Sequence, residues 1–307
     1  MTFAIGKIFH LIQVTDDFQG LDAWYQDVFG AIRYTDGLYG FPYLEVEKRN
    51  ASLTAIASTC IEPISPAFAV QGWEQAPIGR FYQRFGSHWY SIAWHLDDPI
   101  DLYRTLLGHK VRFFGQGGAK EEPTPDDPLF THPKDTVCAL EFMDRKSHML
   151  ADMPDPRFTD PAYADIGWST RTALGLEDMA YLTVTTRDLD RARTVFVDWL
   201  KGDLLGESSS ALTATQDVYV RVGETVVQLS KPLEEGSLAG ADIAKNGESL
   251  HAVAWQVRDL AQAREFLASK GVPALDQDQH TLLADPAGTF GSCFRFTDRH
   301  VTDLIAQ

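Results

Sequence analysis

Apolar and polar residues alternate at four places along the chain, and each time the alternation gives way to helical spacing just after an aspartate. The first stretch is Phe9-His10-Leu11-Ile12-Gln13-Val14-Thr15-Asp16-Asp17, continued by Leu21, Trp24, Tyr25 and Phe29. The second is Tyr90-Ser91-Ile92-Ala93-Trp94-His95-Leu96-Asp97-Asp98, continued by Ile100, Tyr103 and Leu106. The third begins Ala180-Tyr181-Leu182-Thr183-Val184 and ends at Asp188, with Leu189, Ala192, Val195, Phe196 and Leu200 beyond it. The fourth begins His251-Ala252-Val253-Ala254-Trp255 and ends at Asp259, with Leu260, Ala263, Phe266 and Leu267 following. Period two predicts a strand and the later spacing a helix. The aspartate stands where its carboxylate can accept from unpaired first-turn amides. A glycine follows each helix (Gly30, Gly108, Gly202 or Gly206, Gly271), and more strand-like sequence follows the glycine. The unit reads βαβββ, four times.

Two stretches fall outside the pattern. Asp152 to Gly175 is rich in Pro, Asp and small residues and reads as a linker. This divides the chain into residues 1–151, a linker over 152–174, and residues 175–307, with two units on each side. Gly115 to Pro128 reads as a mobile loop or a solvated connection inside the second unit.

Composition narrows the partners. The formal net charge is −16, and polyanions such as nucleic acid are bound mainly by Lys and Arg neutralising phosphates. No nucleic-acid partner is expected. A small anionic substrate stays open, because a local pocket can be basic on an acidic protein. No apolar run approaches the ~20 residues needed to cross a bilayer, and the first residues lack a signal-peptide succession. Three widely spaced cysteines, Cys60, Cys138 and Cys293, suggest free thiols. A cytoplasmic protein is the expectation, and homo-oligomer formation is left open.

The strand–Asp-Asp–helix signature, its fourfold repeat and the strand endings resemble the vicinal oxygen chelate superfamily, which includes glyoxalases, methylmalonyl-CoA epimerase, bleomycin-resistance proteins and type I extradiol dioxygenases. The stretch His132-Pro133-Lys134-Asp135-Thr136-Val137-Cys138-Ala139-Leu140-Glu141-Phe142 is similar to the final strand of epimerase-like members, and Asp285-Pro286-Ala287-Gly288 to the turn before the corresponding strand. The resemblance implies an α+β fold whose four βαβββ modules pair into two cup-shaped domains. It also implies a divalent cation (Fe, Mn, Zn, Ni or Co) held by residues of the first and last strands of each unit.

Seven residues before the capping aspartate, the expected first-strand ligand positions hold His10, Ser91, Tyr181 and Ala252. The last-strand positions read as Thr59, Glu141, Gln228 and Arg295. Only His10 and Glu141 are good ligands, and both lie in the N-terminal half. His95, four residues past Ser91, faces the same cup by alternation, and Tyr90 supplies a phenol. His88 would reach the cup only through a bulge, and His251 is one residue out of phase. The candidate metal ligands are therefore His10, Glu141 and His95. The candidate catalytic groups are Glu141, His95 and Tyr90, and Ser91 and Thr59 are candidate substrate contacts. No metal is expected in the C-terminal half, where Arg295 puts a fixed positive charge at a ligand position. This disfavours ring-cleaving dioxygenase chemistry.

Three functions remain on this reading. One is a metal-assisted isomerase, lyase or hydrolase acting on a small oxygenated metabolite, aromatic or carbonyl. Another is metal-free acid/base catalysis by His10, His95 and Glu141. The third is a binding or resistance protein without chemistry.

Overall fold

The computed structural model describes residues 3–35, 43–44, 47–114, 123–150 and 153–305. The four alternating stretches are strands, and each runs into its helix through the expected aspartate. Asp17, Asp98, Asp188 and Asp259 accept from the backbone N–H three residues on, at 2.9, 3.0, 3.0 and 2.9 Å. Gly30 ends the first helix at φ 64°, a left-handed conformation that glycine adopts without a Cβ penalty.

Eight strands form the centres of the two sheets. In the N-terminal half these are β1 (Ala4–Val14), β2 (Thr59–Pro66), β3 (His88–Asp97) and β4 (Ala139–Asp144). Their counterparts in the C-terminal half are β5 (Leu176–Thr185), β6 (Thr225–Pro232), β7 (Ser249–Val257) and β8 (Cys293–Thr297). The first sheet runs β2-β1-β3-β4 through its centre and the second β6-β5-β7-β8. In both, the two first strands pair antiparallel with each other and parallel with their own unit's last strand. Shorter strands extend both edges, giving mixed sheets of 10 and 8 strands among the described residues. The expected α+β fold of paired βαβββ units is what the chain adopts.

One face of each sheet is apolar and shares a core with the other. Leu11, Ile61, Trp89, Ile92, Trp94, Leu140 and Phe142 of the first sheet belong to the same buried cluster as Leu182, Val227, Val253, Trp255, Phe294 and Phe296 of the second. The helix Phe18–Phe29 lies in this core, with Trp24 5.4 Å from Phe294 and Phe29 5.0 Å from Trp255 between ring centres. The opposite face of each sheet is the inside of a cup, lined by residues of the other parity.

Each pair of first strands has three register shifts, and two of them, repeated in both sheets, are bulges that modify that parity beside the site. Between β1 and β3 the register jumps from Ile8↔Trp94 to His10↔Ala93, leaving Phe9 over, and from Ile12↔Ser91 to Gln13↔Trp89, leaving Tyr90 over. Between β5 and β7 the same jumps leave Ala180 and His251 over. An extra residue re-aims its side chain, so Phe9, Tyr90 and His251 join the cup faces.

The segment expected to be a linker is ordered by contacts that periodicity does not reveal. Arg157 donates to the carbonyls of Ile8 (2.9 Å), Phe9 (2.8 Å) and Ser58 (3.2 Å), covering backbone beside the first bulge, and pairs with Asp155. Tyr163 donates to Ala57 O at 2.8 Å. Of the insert expected over Gly115 to Pro128, residues 115–122 lie outside the described residues. Among the described residues no helix is long and apolar enough to cross a membrane.

Candidate functional site in the N-terminal cup

His10 is cup-facing by alternation on β1, and Glu141 by alternation on β4. The structure brings them together: His10 Nε2 lies 3.2 Å from Glu141 Oε2. A second carboxylate, Glu62 of β2, meets the same nitrogen, also at 3.2 Å through Oε2. All three side chains are buried, at 5, 6 and 5% exposure for His10, Glu62 and Glu141, so solvent screens the cluster little. The other oxygen of Glu62 accepts from Arg49 at 3.0 Å, and Arg49 in turn holds Glu47.

Glu62 corrects the sequence-based register. Ile12 stands beside Glu62 and Ala93 beside Glu141, so these carboxylates occupy equivalent places in their units. Gln228 beside Thr183 and Arg295 beside Ala254 are the third and fourth members of the set. Thr59 is three residues short of that place, at the start of β2. The pattern that could have located Glu62 is local. All four residues sit between apolar neighbours: Ile61-Glu62-Pro63, Leu140-Glu141-Phe142, Val227-Gln228-Leu229 and Phe294-Arg295-Phe296.

His95 is buried on β3, packed 4.7 Å from the Phe9 ring and 5.3 Å from Phe158, and neither ring nitrogen has a hydrogen-bond partner among the described residues. Phe9 also packs on His10 at 4.3 Å, so one phenyl ring contacts both imidazoles. Tyr90 packs on Phe81 beside Ile12 and Ile64. Ser91 and Thr59 have buried hydroxyls without a partner among the described residues. His88 is drawn away to the C-terminal half, where its Nε2 lies 2.9 Å from Asp242.

The electrostatics separate the two imidazoles. Burial acts to lower the pKa of His10, but Glu62 and Glu141 outweigh it, and the net shift is upward. His95 is pushed down to about 4, first by burial and then by the Arg157 charge, so it is neutral at pH 7. Burial, with Glu141 nearby, pushes the Tyr90 phenol up and keeps it protonated.

A divalent cation is implied by the resemblance, and the donor set can be tested against it. One imidazole nitrogen and carboxylate oxygens suit Mn, Fe, Co, Ni or Zn. Ligands about 2.1 Å from a shared cation lie about 3.0–3.4 Å from one another, and the two His10–carboxylate distances are 3.2 Å. Even with His10 protonated, Glu47, Glu62 and Glu141 outnumber the positive charges of His10 and Arg49, an excess that a bound cation relieves. As it stands the cluster is closed by its own hydrogen bonds, and among the described residues no three His, Cys, Asp or Glu side chains are splayed as a ready cage. The donors fit the cation if the His10 Nε2 proton leaves.

Two sheets of paired βαβββ units are the vicinal oxygen chelate fold, and the chain has that fold in its two-domain form. Over 98% of its length, and 97% of the other chain, it is similar to a mutant of 4-hydroxymandelate synthase from Streptomyces coelicolor, with a TM-score of 0.59 at 11% identity. Methylmalonyl-CoA epimerase from Mycobacterium tuberculosis matches 43% of this chain over 93% of its own, with a TM-score of 0.38 at 20% identity. Neither a family model nor a curated sequence relative matches the chain.

Proposed function

We propose that the N-terminal cup is the active site of an enzyme that moves a proton on a small oxygenated metabolite, in isomerase or lyase chemistry. The observation that carries this reading is one buried imidazole nitrogen facing two carboxylates at 3.2 Å. Packing alone gives no reason to bury two carboxylates there, since each ion brings a desolvation penalty of several kcal/mol. His10, Glu62 and Glu141 are the residues that would hold a divalent cation, which when bound supplies Lewis-acid stabilisation of negative charge on a substrate oxygen.

The protein's own groups divide the remaining work. Arg49 fixes Glu62 through one oxygen, so Glu62 orients His10. Glu141 has no cationic partner apart from His10 among the described residues, which makes it the freer base. Tyr90 stays protonated and can return a proton. Neutral His95, whose nitrogens have no hydrogen-bond partner among the described residues, offers a donor and an acceptor to polar substrate groups. Phe9, Ile12, Ala93 and Met143 exclude water around them.

A metal-free version of the same chemistry is favoured by one specific observation, the direct His10–carboxylate hydrogen bonding. Elemental analysis of untagged protein purified without added metal, followed by Mn(II) and Co(II) titration, separates the two. Activity is read as solvent-deuterium incorporation into a panel of small carbonyl and hydroxy compounds. His10→Ala and Glu141→Gln are each expected to cut exchange by about 100-fold or more, the usual scale for a positioned acid or base. The double variant should lose little more, because residues acting as a unit are not additive. Full exchange in both single variants dismisses the site and leaves a binding protein.

A further inference from the structure

The C-terminal cup carries the same four positions with different chemistry. Where the N-terminal cup has two carboxylates, this one has Gln228 and Arg295, and where Tyr90 bulges inward it has His251. A cavity of about 220 Å³ opens over His251 and Arg295, lined also by Cys293, Leu238, Leu275, Asp276 and Leu283 among others. Roughly 150 Å³ is enough to hold benzene, so the space suits a compact organic molecule.

Arg295 is 4% exposed, yet among the described residues no carboxylate lies within ion-pair distance of it. Its guanidinium donates to Gln228 Oε1 at 2.8 Å, and its charge lies close enough to the Tyr181 phenol to act on it. Gln228 is held in turn by Thr183 at 2.8 Å and donates to Tyr219 at 2.9 Å. Of the acids in this cup, Asp276 lines the cavity outside ion-pair distance of Arg295, and Asp217 is occupied by Ser230 and by Thr215 at 3.0 Å, with burial raising its pKa. A buried guanidinium propped by neutral groups is a costly arrangement unless an anion joins it. Five N–H donors in a fixed fork match a carboxylate bidentately.

His251 is prepared just as specifically. Its Nδ1 lies 2.5 Å from Asp242 Oδ2, while His88 from the other sheet holds Oδ1 of the same carboxylate at 2.9 Å. Burial lowers the pKa of His251 despite Asp242 beside it, and hydrogen bonds from both histidines hold Asp242 ionised. The imidazole is therefore neutral with its proton on Nδ1, and its Nε2 lone pair is left as an acceptor.

We infer that the C-terminal cup is a second small-molecule site, which takes a small carboxylate on Arg295 and a hydroxyl donor of the same ligand on His251 Nε2. A short hydroxy acid meets both demands. The site is independent of the proton-transfer reading of the N-terminal cup.

Isothermal titration calorimetry of the full chain with propanoate, lactate and benzoate tests this. Saturable binding of one or more is expected, with lactate tighter than propanoate. Arg295→Met should weaken binding at least tenfold, and His251→Phe should abolish the preference for lactate. Leu283→Trp keeps the Arg295 charge but fills the cavity beside it from the neighbouring strand and should also block binding, which covers the case in which Arg295→Met does not fold. His10→Ala should leave binding unchanged, which assigns the heat to the C-terminal cup. No binding of any of the three at millimolar concentration overturns the inference, as does binding that survives both Arg295→Met and Leu283→Trp.

Discussion

Two imidazoles that both pack on the Phe9 ring have their pKa values shifted in opposite directions, although both are buried on one sheet face. What differs is the charge beside them. His10 faces two carboxylates, whereas His95 faces aromatic rings and the field of Arg157. For His95 the folded pKa, about 4, lies below the unfolded 6.5, so the unfolded chain binds the proton first. Its contribution is full above 6.5 and is lost as pH falls towards 4. A shift of that size is worth roughly 3 kcal/mol. His95→Phe keeps the aromatic packing and removes the titration. Urea denaturation at pH 7, 5 and 4 should show the variant gaining about 3 kcal/mol relative to the native chain across that window. A constant difference at all three values would sink the assignment. For His10 the sign reverses, because the raised folded pKa gives stability below 6.5 that is lost as pH climbs through the folded value. The cup-facing parity of both residues was legible from alternation alone. Their opposite titration was not, since Glu62 and Arg157 reach them from distant parts of the chain.

At the level of strands, position could be read wherever a fixed count to a landmark exists. The capping aspartate lies a constant seven residues after the first-strand position, which located His10, Ser91, Tyr181 and Ala252 correctly relative to one another. Last strands have no such landmark, because they follow loops of unequal length, so the repeat points to Thr59, three residues before Glu62. The bulges at Tyr90 and His251 were illegible for a related reason: a one-residue surplus changes facing without changing composition. NMR titration of the His10 ring separates the two positions in β2. Glu62→Gln should lower the His10 pKa, since a carboxylate that favours the imidazolium is gone, whereas Thr59→Val should leave it where it was. An unmoved His10 in Glu62→Gln would refute the register-based assignment.

Across the whole molecule, the two sheets bury their apolar faces in one cluster, and the helix of the first unit packs against the last strand of the fourth. Nothing in the repeat announces this, because each unit's periodicity describes a buried face without naming what covers it. The arrangement leaves both cups facing away from the shared core, so each can carry its own chemistry while stability is held in common. Phe294 is the clearest probe. It is fully buried on β8, and its ring centre lies 5.4 Å from Trp24 and 5.3 Å from Trp89, both in the N-terminal half. Trp89 also donates its indole N–H to Cys293 O at 3.2 Å, joining the sheets beside the same contact. Phe294→Ala is expected to cost ~3–5 kcal/mol, the usual range for removing a buried phenylalanine ring. If the core is energetically continuous, hydrogen exchange in that variant should accelerate together in β1 and β3 as well as in β7 and β8, with one unfolding transition by calorimetry. Faster exchange confined to β7 and β8, with β1 and β3 protected as before, would show that each sheet is stabilised by its own half.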